Sequence, residues 1–218
     1  MSETNSASET PTRADPRWRR TRQAIITAGE TLFGQHPTDG VSVDDLVRLA
    51  RISKQSFYNH FPDKDALARE LLRLTRAELD RLVTAANHGE ADPAKRLATG
   101  IAVYSAQALL KPHQGQLVGQ LMLIDASADS EANSPVVADV IAGLSKGRLA
   151  VFTPETGVGF ILGVGEALVR KILTDPDRET AAIVCQQYTT LLLRAFGLSP
   201  LESEMIAAEA AERIIRRG

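Results

Sequence analysis

The chain has 218 residues, 44% hydrophobic and 24% charged, which fits an ordinary globular protein long enough to bury a core. A single cysteine, Cys185, excludes a disulfide framework and a cysteine-rich zinc site, and a net charge of −2 excludes a chain that is basic throughout but not one with a basic face. No N-terminal apolar leader and no run near the about 18 apolar residues of a membrane span are present, so the expected location is the cytoplasm.

Residues 1–15 are polar and poor in hydrophobics and read as a disordered tail. Arg13, Arg17, Arg19, Arg20 and Arg22 then form a local positive patch around Trp18. A first helix is predicted from about Arg17 to Gln35, with Ile25, Gly29, Leu32 and Phe33 on one face. Pro37, Asp39 and Gly40 break it. Ser42 is the next N-cap, with Asp45 three residues on as a partial capping box, and Val43, Leu46, Val47 and Ala50 form the buried stripe of a second helix. Ser53 caps a short third helix anchored by Phe57 and Phe61. Its other positions, Lys54, Gln55, Ser56, Tyr58, Asn59 and His60, are groups that reach base edges or phosphates. Pro62-Asp63 opens a long fourth helix running to about Ala86.

Beyond it the punctuation is regular. Asp92-Pro93, Ser134-Pro135, Thr153-Pro154, Asp175-Pro176 and Ser199-Pro200 each pair a capping side chain with a proline, and Lys111-Pro112 marks one further start. Proline is tolerated in a first helical turn because the N–H it lacks would have been unpaired there. Ser199 and Glu202 have the spacing of a capping box. Every intervening segment has helical period, and none alternates as a strand does. The predicted fold is all-α with about ten helices: residues 16–63 form a three-helix helix-turn-helix domain and residues 64–218 a helical body. Asp125 to Asn133, rich in Asp, Ser, Ala and Glu, reads as a mobile loop.

Several motifs point elsewhere and fail on context. Gly143-Leu144-Ser145-Lys146-Gly147 has the spacing of a nucleophile elbow, which needs a strand before the serine; here the residues before it have helical period. Gly157, Gly159, Gly163 and Gly165 resemble a dinucleotide loop, but Thr153-Pro154 starts a helix just before them. Gly159 and Gly163, four apart, read instead as a close-packing helix face. Cys185 lies in an apolar helix and reads as core rather than as a redox sensor. His36, His60, His88 and His113 fall at no metal-ligand spacing. No metal, cofactor or catalytic residue is expected.

Residues from about Arg17 to Leu72 resemble the TetR family of transcriptional regulators. The resemblance is carried by Ala28, Leu32-Phe33, Ser42-Val43, Asp45-Leu46, Ala50, the run Ile52 to Phe61, Lys64 and Leu67. It implies a recognition helix opened by Ser53, Lys54, Gln55 and Ser56. It also implies Tyr58 and His60 at phosphates, Asn59 at a base, Ser42 and Lys64 clamping the DNA backbone, and Arg17, Arg19 and Arg20 reaching flanking phosphates or a minor groove. Two positions depart from the family. Arg51 stands in the turn where glycine is common, at a cost of about 1 kcal/mol if the residue is left-handed. Asp44 stands where a basic residue is common, and would repel phosphate or accept from a cytosine amine.

By the same resemblance the last two helices, about Pro176–Phe196 and Pro200–Arg217, build the interface of a homodimer. Ile183, Val184, Leu191, Leu192, Met205 and Ile214 supply its apolar surface. The partners implied are a palindromic double-stranded DNA operator and a small-molecule effector that releases it, with the fourth helix as the lever between body and reader. Tyr104, Gln107, His113, Gln120, Asp125 and Tyr188, polar groups on mostly apolar helices, are the candidate effector contacts. Two other readings stay open: a DNA-binding regulator controlled by protein contact, and a helical enzyme or ligand carrier with a vestigial reader. Neither the effector nor the operator can be named from the sequence.

Overall fold

The computed structural model describes residues 15–122 and 133–218, with backbone only for Leu117, Gln120, Leu121 and Met122. Asp125 and residues 1–14 lie outside the described residues, as does most of the acidic loop and the side chain of Gln120. Among the described residues there are ten α-helices and no strand: α1 (Pro16–Gln35), α2 (Val43–Ala50), α3 (Lys54–Tyr58), α4 (Lys64–Ala86), α5 (Pro93–Leu110), α6 (Pro112–Met122), α7 (Ser134–Ser145), α8 (Pro154–Thr174), α9 (Arg178–Ala195) and α10 (Pro200–Ala211). A π-turn, Glu212–Arg216, continues α10. No described helix is long and apolar enough to cross a membrane.

The capping logic holds at most starts. Asp15, Asp92, Thr153 and Ser199 accept backbone N–H groups of α1, α5, α8 and α10, each with proline in the first turn. Ser42 and Asp45 form a reciprocal capping box on α2. α7 begins at Ser134 itself, so that serine is its first residue and not its cap. Three further starts differ from the sequence reading. α4 begins at Lys64, with Asp63 Oδ1 accepting from Ala66 N at 2.6 Å. α9 begins at Arg178, capped by Asp177 through Thr180 N at 2.8 Å. In both, the proline precedes the cap instead of following it. At α10 the Glu202 carboxylate goes to Arg148, 2.8 Å away, rather than back toward Ser199.

The chain forms two compact units that divide inside α4, at Leu71–Leu72. In the first, Ile25, Phe33, Leu46, Phe57, Leu67 and Leu71 are almost wholly buried, worth roughly 1.5–3 kcal/mol for each large side chain. A Cβ on Gly29 would stand 2.8 Å from Leu71 Cδ1 and 3.0 Å from Leu67 Cδ2, so the glycine sets the close approach of α1 to the start of α4.

In the second unit α5 packs against α6, α7, α8, α9 and α10. Its core includes Leu97, Ile101, Val140, Val158, Ile172 and Leu192. Arg148 ties the unit's ends together: Nε and Nη2 donate to the two carboxylate oxygens of Asp92 at 2.9 and 2.8 Å, while Nη2 also meets Glu202. Gly157, not Gly159 or Gly163, is the tight glycine of α8. A Cβ there would lie 3.2 Å from both Val140 and Val151, whereas a Cβ on Gly159 or Gly163 would meet no described atom within 4 Å. Gly143 also marks a close approach, because a Cβ would run into Leu149. Ser145 lies at the end of α7 and its hydroxyl donates to Ala142 O, so the strand-turn-helix of a nucleophile elbow is not formed at this serine.

Candidate nucleic-acid interface and effector cavity

The reader is built from α1, α2 and α3. α2 ends at Arg51, the one non-glycine residue with positive φ among the described residues (φ 54°, ψ 46°). Arg51 N donates to Arg48 O and Ile52 N to Val47 O, which closes the helix and turns the chain toward Ser53. The Ser53 hydroxyl accepts from Ser56 N at 3.1 Å and starts α3. α3 buries Phe57 completely, leaving Lys54, Gln55, Tyr58 and Asn59 exposed on its outer side. Gln55 Nε2 donates to Asn59 Oδ1 at 3.2 Å, so the two amides present themselves together.

The other expected DNA contacts sit in varied surroundings. Arg17, Arg19 and Arg20 are exposed on the first turns of α1. Arg22 instead pairs with Glu70 at 2.7 Å and lies over Phe61, 5.0 Å from its ring centre. Ser42 and Ser53 spend their hydroxyls on caps, and Ser56 Oγ lies 3.0 Å from Ser53 Oγ. The Lys64 ammonium donates to three carbonyls, Thr38 O, Asp39 O and Val41 O, at 2.9, 3.3 and 3.0 Å, and so holds the turn before α2. His60 turns inward. Its ring lies 4.6 Å from that of Trp18, and its Nδ1 is buried without a hydrogen-bond partner. Burial, with the charge of Arg22 second, holds its pKa below the ordinary histidine value.

Asp44 has a partner that spacing along the chain did not reveal. Its carboxylate lies 2.7 Å from the ammonium of Lys54, a pair between α2 and the first residue of the reading helix. Both side chains are exposed. The hydrogen bond from Lys54 to Asp44, and then their mutual attraction, raise the lysine's pKa.

The second unit contains a cavity of about 150 Å³ framed by α4, α5, α7 and α8. Val83, Ile101, Val136, Ile161 and Leu162 supply apolar walls. Arg76, Asp80 and Thr84 enter it from α4, Asn87 from the turn that follows α4, Arg96 and Tyr104 from α5, and Asp139 from α7. Arg96 Nε donates to Asp139 Oδ1 at 2.5 Å, and Arg76 Nη2 donates to Asn133 Oδ1 at 2.7 Å. Burial pushes the carboxyl pKa values of Asp80 and Asp139 up, against the pull of Arg76 and Arg96 respectively. The Tyr104 phenol is likewise pushed up by burial and stays protonated. Asn87 Nδ2 donates to Arg96 O at 3.2 Å, leaving its buried Oδ1 without a partner, which costs about 1–3 kcal/mol in a protein interior.

Of the six residues expected to meet an effector, Tyr104 lines this cavity. Gln107 lines a much smaller neighbouring void, His113 is exposed, and Tyr188 packs against the core. Sequence reasoning passed over Arg76, Asp80, Asn87, Arg96 and Asp139. A signal existed: Arg76, Asp80 and Thr84 recur at helical spacing along one face of α4, and Asn87 continues that spacing just past its end. Cys185 is buried and its thiol pKa is raised by burial, which suits packing.

The capped α2, the turn at Arg51 and the short α3 together form a helix-turn-helix unit. Residues 25–71 match the family of bacterial regulatory proteins, tetR family. The HTH-type transcriptional regulator EthR of Mycobacterium tuberculosis (strain CDC 1551 / Oshkosh) is 34% identical over an alignment of 99 residues that covers 41% of this chain and 46% of EthR. The chain thus spans about half the length of the curated relatives it matches. The likeness to this family lies in the helix-turn-helix unit, residues 25–71. Two solved structures share the fold. A tetR family transcription regulator from Shewanella sp. PV-4 superposes with a TM-score of 0.72 at 18% identity, over 82% of this chain and 99% of that one. RolR in complex with resorcinol superposes with a TM-score of 0.60 at 22% identity, over 88% and 95%.

Proposed function

We propose that the protein is a homodimeric repressor that reads a near-palindromic operator and is released from it by a small molecule held in the second unit. The observation that carries the reading is the presence in one chain of an exposed amide-and-lysine face on α3 and a cavity with polar walls in a separate unit. Lys54, Gln55, Tyr58 and Asn59 are the base and phosphate contacts, and Arg17, Arg19 and Arg20 the flanking phosphate contacts. Ser42, Ser53, Ser56, His60 and Lys64 hold the reader in shape, and the backbone amides beside them approach the phosphates.

The dimer surface is the exposed apolar side of α9 and α10: Ile183 and Leu191, Leu201 and Met205. Leu192 belongs to the chain's own core, and Val184 and Ile214 pack partly against it. Two copies place their reading helices in successive major grooves about 34 Å apart. An effector that favours a conformer with mis-spaced readers, coupled by about 1–3 kcal/mol, weakens operator binding roughly 5- to 150-fold. The cavity supports control by a small molecule over control by protein contact, which needs no such void.

Selection of bound sequences from random DNA, followed by affinity measurements across a salt series, tests the reading. A two-fold-symmetric site whose affinity falls when its half-site spacing changes is expected. Spacing-insensitive half-site binding sinks the dimeric reader.

A further inference from the structure

We infer that the cavity of the second unit takes a compact, uncharged, one-ring molecule carrying an O–H or N–H donor, the class of phenols and cyclic alcohols. The inference rests on the ligand-responsive reading above and names the chemistry of that ligand.

Size sets the first limit. A void of about 150 Å³ is filled by one benzene-sized ring, and a long acyl chain or a fused multi-ring compound would protrude from its open side. The apolar walls, Val83, Ile101, Val136, Ile161 and Leu162, suit a hydrocarbon ring.

Asn87 sets the second. The residue is 3% exposed. The bond from its Nδ2 to Arg96 O fixes which way the amide points, because the opposite orientation would set two carbonyl oxygens against each other. Oδ1 is therefore an acceptor of fixed direction, buried and unmatched, on a residue that lines the cavity. Buried acceptors of this kind are nearly always met by a donor. A ligand hydroxyl or N–H meets that need, and the protonated Tyr104 phenol on the same wall can donate to the ligand oxygen in return.

Charge sets the third. The ionisable walls carry two guanidiniums, Arg76 and Arg96, and two carboxyls, Asp80 and Asp139. Arg96 is held on Asp139, and Arg76 faces Asp80. The site is balanced as it stands. An ionised ligand would lose its hydration without gaining an uncommitted counter-charge.

The test is calorimetric titration of the full chain, without DNA, against phenol, cyclohexanol, anisole, benzoate, benzylammonium and decanoate. Phenol and cyclohexanol are expected to saturate at one per chain, with anisole, which lacks the donor, bound about tenfold more weakly. In Asn87→Leu the preference of phenol over anisole should vanish. Gly165→Leu, at a cavity-lining position where a Cβ has open space, should abolish binding in a folded chain. Equal affinity for phenol and anisole overturns the inference, as does tighter binding of benzoate, benzylammonium or decanoate. So does the absence of any saturable binding, which would leave water as the partner of Asn87. The comparison of phenol with anisole on the unaltered protein stands even if Asn87→Leu fails to fold. Operator affinity is measured separately. If phenol saturates the cavity and leaves operator affinity unchanged, the ligand class stands and the release mechanism falls. If none of these compounds binds while another molecule releases the operator, the regulator stands and the ligand class falls.

Discussion

Two residues individualise the reader, and both depart from the family pattern. Arg51 occupies the left-handed region at the turn, where a side chain with Cβ is strained relative to glycine. Arg51→Gly should stabilise the reader by about 1 kcal/mol, less whatever glycine loses by freeing the unfolded chain. Trp18, the chain's single tryptophan, sits in this unit and reports its unfolding by fluorescence. An unchanged or lower denaturation midpoint would mean that the arginine makes a compensating contact. Asp44 neutralises Lys54 before DNA arrives. Asp44→Asn should therefore strengthen operator binding severalfold and steepen the salt dependence by about one counterion, since the lysine becomes available to a phosphate. A weaker complex with lost preference at one base pair would instead identify Asp44 as a reader of that base. The strain at Arg51 was legible in the sequence, because a turn residue's conformation is local. The Asp44–Lys54 pair and the three-carbonyl bond of Lys64 were not, because both depend on how α2, α3 and the turn before α2 cross in space.

At the scale of elements, α1 and the turn after α3 are joined through a cluster that titrates. His60 packs on Trp18, with Arg22 from α1 as the facing charge and Glu70 from α4 pairing that arginine. The folded pKa of His60 lies below its unfolded value of about 6.5. Below pH about 6.5 the unfolded chain therefore binds a proton that the folded reader does not. The stability His60 contributes is complete above that pH and is lost as pH falls toward the folded value. The Trp18-detected unfolding midpoint should drop between pH 7 and pH 5.5. His60→Phe, which keeps the ring and removes the proton, should flatten that slope, and an equal slope in the variant would assign it to other groups. Helix starts were legible wherever a cap and a proline coincide, as at Asp92-Pro93 and Thr153-Pro154. They shifted at Pro62 and Pro176, where the following aspartate is the better cap. A dipeptide cannot tell a proline inside the first turn from one just before it.

For the whole molecule, the helical class followed from periodicity, but the cavity did not. A void is defined by what fails to fill it, and charged residues such as Asp80 and Arg96 read as solvated faces until α5, α7 and α8 are seen to close over them. The dimer surface proposed above was assigned to α9 and α10 by resemblance, and the sequence could not resolve it to single residues. The helical period of α9 marks its apolar residues but cannot tell which side faces α5 and which faces outward, so Leu192 stood beside Leu191 as a candidate. The structure separates them, with Leu192 fully buried and Leu191 63% exposed. Met205 on α10 is equally exposed. Apolar groups clustered at that exposure mark a surface meant to be covered. The double substitution Leu191→Glu with Met205→Glu should thus leave the chain's own core, and its helical circular dichroism, intact while placing four carboxylates across any two-fold interface made of this face. Sedimentation should show a monomer. Operator affinity should fall to that of a half-site, with about half the counterion release of the dimer. A variant that stays dimeric would move the interface to another exposed apolar site, of which Phe152, 97% exposed, is the most prominent. The position of the reading helices would then have to be reconsidered from that face.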